Sequence, residues 1–311
     1  MKIVMLDADT LGVCDWGEIK SFGSVHFYPS TSREQTLERC LGAEIVITNK
    51  VILDAEILAQ LPQLKLICIS ATGMNNVDLE YAKKQGIIVK NVAGYSTTSV
   101  AQHTLTMALE ILSQTHYYDG YCKSGAWCQS PIFVHINEGL REIEGLSWGI
   151  IGLGNIGKRV AKLASCFGAK VSYYSTSGKN TESQYPKQSL KELLSTSDIV
   201  SIHAPLNENT KNLLNADNLI LLKEKAILIN VGRGGIVNEN DVAEILKSKE
   251  IFFATDVLES EPMKANHPFL NKDIASKLLI TPHIAWAYDN ARERLLKLLA
   301  QNIRDFLNNN P

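Results

Sequence analysis

Gly152-Leu153-Gly154-Asn155-Ile156-Gly157 follows the apolar run Trp148–Ile151 and opens a stretch of helical periodicity that continues through Ala164. In that strand-to-helix context the three glycines have separate tasks. Gly152 permits the tight turn, Gly154 lets backbone approach a pyrophosphate, and Gly157 lets helix and strand pack closely. The first amides of the helix, those of Asn155 and Ile156, then face the phosphates, and the helix dipole favours the negative charge.

From this turn the chain continues with short apolar runs at 170–174, 198–203, 226–231, 252–256 and 278–281, separated by helix-compatible segments. Regular alternation of this kind predicts parallel crossovers and a doubly wound, Rossmann-type domain. Before it, Ile3–Leu6, Ile45–Thr48, Leu66–Ser70 and Ile87–Asn91 predict strands of a second α/β sheet, with helical periodicity over 54–61 and 78–85. A long apolar helix is expected over Val100–Leu112. The tail, 291–307, places Leu295, Leu299, Ile303 and Phe306 at helical spacing with charges between them. That stripe needs a partner, and the second sheet already has its helices, so the tail is expected back on the first domain. The predicted division is residues 1–98 plus 287–311 for one domain and 99–286 for the dinucleotide domain, as two domains suit a chain of 311 residues.

Composition excludes several classes of function. Net charge is −2, with 45% hydrophobic and 21% charged residues, and no polybasic tract invites nucleic acid or a membrane surface. The opening Met1-Lys2-Ile3-Val4-Met5-Leu6-Asp7 reads as a strand rather than a signal peptide, and no run of about eighteen apolar residues occurs. Six scattered cysteines without a Cys-x-x-Cys spacing are expected as reduced thiols in a cytoplasmic chain, with no metal site.

Chemistry enters downstream of the glycine turn. Arg233, in Val231-Gly232-Arg233-Gly234, offers a planar, permanent cation at the carboxyl end of a strand, where α/β sheets place ligands. Asp256 ends an apolar strand, where a carboxylate is costly unless hydrogen-bonded. Glu261 and His283 follow, in Glu259-Ser260-Glu261-Pro262 and Thr281-Pro282-His283. A cation, a carboxylate and an imidazole are the parts needed to hold a 2-oxo acid and protonate it. Where dinucleotide sites specific for NAD place an acid, about twenty residues beyond the turn, this chain has Ser175-Thr176-Ser177-Gly178-Lys179. Hydroxyls and a lysine suit a 2′-phosphate, but no arginine is present, so NAD and NADP both stay open.

Taken in order, these segments resemble the D-isomer-specific 2-hydroxyacid dehydrogenases. The resemblance covers nearly the whole chain: 72–78, Ser99-Val100-Ala101-Gln102-His103-Thr104, the glycine turn, His203-Ala204-Pro205-Leu206, 231–234, 256–262 and 281–286. Within the family it is most similar to the glycerate dehydrogenases, or hydroxypyruvate reductases, through 71–78 and Trp286. It implies a Rossmann domain plus a flavodoxin-like substrate domain built from both chain ends. It also implies hydride transfer between a nicotinamide cofactor and a 2-oxo acid or D-2-hydroxy acid, with hydroxypyruvate and glyoxylate as first substrates, in a homodimer.

The same resemblance assigns roles. Arg233 grips the substrate, His283 is the general acid, and Glu261 is the carboxylate that favours the charged imidazole. Asp256 orients the nicotinamide carboxamide. Gly152, Gly154, Asn155, Ile156, Gly157, Ser175, Thr176, His203, Ala204, Pro205, Thr210, Val231, Gly232, Arg233, His283 and Ala285 line the cofactor. Thr72 and Gly73 offer amides to the substrate carboxylate and Lys50 a charge, with a hinge near 94–99 and 284–288 closing a cleft. His103 is read as a packing residue of the crossover helix and His267 as an ordinary buried or surface histidine. Rival members are D-lactate, 3-phosphoglycerate and phosphite dehydrogenases. A dinucleotide-sensing corepressor would call for a long basic or disordered extension that this chain lacks, and formate enzymes of this type carry Gln where Glu261 stands.

Overall fold

A computed structural model describes residues 1–182 and 184–309; Ser183, Asn310 and Pro311, which fall within the expected domain ranges, lie outside the described residues. The chain divides into two compact units, Met1–Ser96 with Trp286–Pro311, and Thr97–Ala285.

The first unit holds five parallel strands, β1 (Lys2–Met5), β2 (Ser24–Phe27), β3 (Ile45–Thr48), β4 (Leu66–Ile69) and β5 (Ile88–Asn91), in the order β2-β1-β3-β4-β5. That is the flavodoxin arrangement. The inner strands β1, β3 and β4 are apolar at every position but Lys2 and Thr48 because both faces are covered, and alternate residues serve opposite layers. Ile3, Met5, Ile45, Ile47, Leu66 and Cys68 meet Leu295, Leu299, Ile303 and Phe306 of the tail helix Asp289–Asn309. Val4, Val46, Ile67 and Ile69 meet Leu53, Ile57, Leu58 and Ala82 on the other face. Strand β2 was not foreseen from the sequence; it is an edge strand whose Ser-Val-His-Phe alternation leaves it half exposed.

The second unit holds β6 (Ser147–Ile151), β7 (Lys170–Tyr174), β8 (Ile199–Ile202), β9 (Ile227–Asn230), β10 (Phe252–Thr255) and β11 (Leu278–Ile280) in the order β11-β10-β9-β8-β6-β7. The winding reverses between β6 and β8, and ligands of such sheets sit beyond the carboxyl ends of the strands at that switch. One half is abbreviated. Among the described residues the outer edge beyond β7 carries a single parallel bridge, Tyr173 with Lys187, and no further strand. The segment after Tyr174 is rich in Ser, Thr, Asn and Lys and has no apolar run from which a strand could form. The long helix is Thr97–Ser113, and it buries Val100, Ala101, His103, Thr104, Met107, Ala108 and Leu112.

Candidate active site

The glycine turn is built as its spacing requires. Gly152 has φ +91, and a Cβ there would lie 2.9 Å from the Ala204 nitrogen, so the turn after β6 presses on the chain leaving β8. At Gly157 a Cβ would come within 2.3 Å of the Gly152 carbonyl oxygen, and only glycine lets the helix Asn155–Cys166 begin so close to the strand. Around Gly154, its own chain neighbours aside, no atom lies within 4 Å of the Cβ position. This open cradle, facing the first amides of a twelve-residue helix, fits a pyrophosphate.

His203 leaves the end of β8. Its Nε2 is 3.0 Å from Ser201 Oγ, which also accepts the indole N–H of buried Trp148, while its Nδ1 is buried without a partner. Burial pushes its pKa down to about 3, so the ring is neutral. A buried nitrogen left over at the switch point is a feature that a ligand polar group can satisfy. Ala204 is buried beside it and Pro205 is exposed. Thr210, fully buried, donates to the Pro205 carbonyl at 2.6 Å and accepts the Asn207 amide at 2.8 Å, which places it beneath this loop as its support.

At the end of β7, Ser175 is buried and Thr176 half-buried. Asn180, which sequence reasoning missed, donates to the Leu153 carbonyl at 2.7 Å and ties this loop to the glycine turn. The next acid along, Glu182, is ion-paired with Lys158 of the nucleotide helix at 2.9 Å.

His283 and Glu261, distant in the chain, meet directly: Nδ1 of His283 lies 2.7 Å from Glu261 Oε2. The other carboxylate oxygen accepts the Leu258 amide at 2.9 Å, so Glu261 is held at both ends. His283 adopts a left-handed backbone, φ +55. The carboxylate that fixes that backbone is Asp256, which is 2% exposed. Its Oδ1 accepts the Thr281 hydroxyl at 2.6 Å and the Ile284 amide at 2.8 Å, and its Oδ2 accepts the Ala285 amide at 2.8 Å. His103, read from the sequence as a packing residue, belongs to this network. Its Nε2 lies 3.0 Å from Thr281 Oγ1 and 3.7 Å from Asp256 Oδ1, and burial lowers its pKa against the opposing pull of Asp256. The signal that could have found it is a histidine on the buried face of an otherwise apolar helix.

Arg233 sits on the turn after β9. Buried Asn230 shapes that turn, since its side chain accepts the Gly232 amide at 3.1 Å and donates to the Arg233 carbonyl at 3.0 Å. One guanidinium nitrogen of the exposed Arg233 donates to the Gly232 carbonyl at 2.7 Å. A Cβ at Gly234 would stand 2.0 Å from the Leu258 carbonyl carbon and oxygen, so the arginine turn is stacked directly on the loop that carries Glu261. Val231 and Ala285 are buried behind these groups.

The other predicted residues lie in the first unit. Thr72 and Gly73 follow β4, where Thr72 donates to the Val92 carbonyl at 3.2 Å and Asn91 donates to the Thr72 carbonyl at 2.7 Å. Buried Asp7 accepts the amides of Asn49, Lys50 and Val51 and so fixes the loop that bears Lys50. Among the described residues no group of three or more His, Cys, Asp or Glu is arranged to hold a metal, and no helix is long and apolar enough to cross a membrane.

The family model "D-isomer specific 2-hydroxyacid dehydrogenase, NAD binding domain" matches residues 105–285. A hydroxypyruvate reductase of Blautia hydrogenotrophica is 34% identical over 321 aligned positions, covering 100% of this chain and 98% of its own. Two solved structures superpose along the length of the chain. An acyclic imino acid reductase in complex with NADPH and D-Arg has a TM-score of 0.87 at 27% identity, covering 100% of this chain and 98% of that one. A D-lactate dehydrogenase from Aquifex aeolicus, complexed with NAD and lactic acid, has a TM-score of 0.83 at 26% identity, covering 99% and 96%.

Proposed function

The chain belongs to the D-isomer specific 2-hydroxyacid dehydrogenase family, and from that premise we propose that it interconverts hydroxypyruvate with D-glycerate, and glyoxylate with glycolate, at the expense of NADH or NADPH. The observation that carries the chemical part is the 2.7 Å contact between Glu261 and Nδ1 of His283. With Nδ1 engaged by a carboxylate, Nε2 is the nitrogen left to serve a substrate. The bound dinucleotide supplies the hydride in reduction and accepts it in oxidation.

On this reading Arg233 holds the substrate carboxylate and keto oxygen by charge-assisted hydrogen bonds and polarises the carbonyl. Nε2 of His283 gives its proton to the keto oxygen as the carbon is reduced, and Glu261 stabilises the cation before transfer. In the reverse direction Nε2 takes the hydroxyl proton. Asp256 orients the imidazole through the 284–285 amides, and its Oδ2, with one donor from that loop, has a lone pair for the carboxamide of the cofactor. Thr72, Gly73 and Lys50 are proposed on the same footing as substrate residues, each to be judged by the KM for the 2-oxo acid.

The absence of an acid over 175–181, together with the pairing of Glu182 to Lys158, supports acceptance of NADPH beside NADH, because no carboxylate at the strand end repels a 2′-phosphate. A panel of hydroxypyruvate, glyoxylate, pyruvate and 2-oxoglutarate with each reduced cofactor tests the proposal. Turnover is expected with hydroxypyruvate or glyoxylate. No turnover with any of the four refutes it.

We further propose a cytoplasmic homodimer that uses the 127–136 stretch, where Trp127, Phe133 and Ile136 are 49%, 87% and 75% exposed. Such an apolar surface favours a covered state in water. Light scattering is expected to give twice the chain mass, reduced to one by Trp127→Glu with Phe133→Glu.

A further inference from the structure

The loop that carries Glu261 is clasped by a residue pair outside the catalytic set. Glu239 stands in the first turn of the helix Glu239–Ser248, where a carboxylate is favoured by the helix dipole. Its Oε1 accepts the Glu259 amide at 2.6 Å, two residues before Glu261. Its Oε2 lies 2.8 Å from Nε2 of His267, six residues after Glu261. Both side chains are well covered, with His267 7% and Glu239 13% exposed. Nδ1 of His267 accepts the Phe269 amide at 3.2 Å, which leaves the ring hydrogen on Nε2, directed at Glu239. The imidazole also packs on the Phe269 ring, whose centroid is 4.8 Å away, and Phe269 belongs to the core. One carboxylate thus gathers both limbs of the Glu261 loop and fixes them to a helix and to the core.

We propose that the Glu239–His267 pair is a positioning device that sets where Glu261 stands against His283. The proposal rests on the dehydrogenase reading for its kinetic consequence and on geometry alone for its existence. Glu261 accepts the Leu258 amide through one oxygen and meets His283 through the other. Release of Glu259 therefore displaces Leu258 and Glu261 together and loosens the imidazole contact. His267 has two separable tasks, the cap on Phe269 through Nδ1 and the clasp on Glu239 through Nε2, and two amides separate them. Asn in its place reproduces the acceptor near Nδ1 and loses the clasp. Gln reproduces the donor near Nε2 and loses the cap.

The test compares wild type, Glu239→Ala, His267→Asn and His267→Gln. Hydrogen exchange is read at the Glu259 amide in the protein without added cofactor, and kcat and KM are read with hydroxypyruvate and NADH. Exchange at Glu259 is expected to rise about tenfold or more in Glu239→Ala and His267→Asn. In the same two variants kcat falls about tenfold or more while the KM for NADH stays within about twofold. His267→Gln restores both. Wild-type behaviour of His267→Asn together with impairment of His267→Gln reduces His267 to a helix cap and overturns the proposal, as does faster exchange with unchanged kcat. If Glu239→Ala does not fold, the two His267 variants decide. If wild type turns over no 2-oxo acid, the dehydrogenase reading has failed on its own, and exchange at Glu259 still decides whether the clasp exists.

Discussion

Thr281, Ile284 and Ala285 all donate to Asp256, so one buried carboxylate holds the segment on which His283 rides. Its removal leaves buried amides without acceptors, at about 1 to 3 kcal/mol each. Asp256→Ala is therefore expected to lower unfolding free energy by about 2 kcal/mol or more in denaturant titration and to depress kcat through the displaced imidazole. His203 gives a pH signature. Its folded-state pKa of about 3 lies below the ordinary 6.5, so the unfolded chain binds the proton first as pH falls. The stability that its neutral ring contributes is complete above about 6.5 and is lost progressively towards about 3. His103 is shifted in the same direction. In thermal melts of the cofactor-free protein, His203→Leu should flatten the acid limb between those values, whereas an unchanged limb would place the titration elsewhere. Asp256 was legible in the sequence because a carboxylate that ends an apolar run demands donors. His103, Asn180 and Asn230 were not, because amides and imidazoles are common in loops and helices, and only the fold shows which carbonyls or hydroxyls they face.

Elements meet closely at Gly157 and Gly234 but not at Gly154, and each of the three predicts a different outcome. A methyl at Gly157 meets the Gly152 carbonyl, so Gly157→Ala shifts the nucleotide helix and is expected to weaken NADH binding at least about tenfold by fluorescence titration. A methyl at Gly234 meets the Leu258 peptide, so Gly234→Ala displaces the arginine turn from the Glu261 loop. It should cost kcat with the reduced cofactor at saturation. Gly154 has room for a methyl in the protein itself, so its replacement by Ala is expected to leave the melting temperature unchanged and to impair only pyrophosphate binding. The ends of this motif were readable because close backbone approach at Gly152 and Gly157 leaves no alternative to glycine. Strand β2 was not readable, since a four-residue edge strand with alternating exposure carries too little apolar signal to stand out from a loop.

At the scale of the whole molecule, each unit has its own sheet and core, and the chain returns to the first unit through its last helix. Leu299 is fully buried between that helix and the sheet, so Leu299→Ala should destabilise the first unit by about 2 to 5 kcal/mol, visible as an earlier transition in thermal melts. The tail's return was legible from its apolar stripe alone, because a helix with one greasy face and a completed sheet next to it in sequence must pack elsewhere. The abbreviated edge beyond β7 was not, because a polar segment without periodicity predicts only the lack of a strand and says nothing of what borders the sheet instead.

The central claim is that His283, held by Glu261, protonates a 2-oxo acid during hydride transfer. A single-turnover experiment meets it most directly, with wild type and His283→Ala each loaded with reduced cofactor and mixed with hydroxypyruvate while the reduced nicotinamide absorbance is followed. Wild type should consume the cofactor and release D-glycerate, and His283→Ala, saturated with cofactor, should react at least about a hundredfold more slowly. Equal rates for the two proteins, or L-glycerate as the product, would contradict the account.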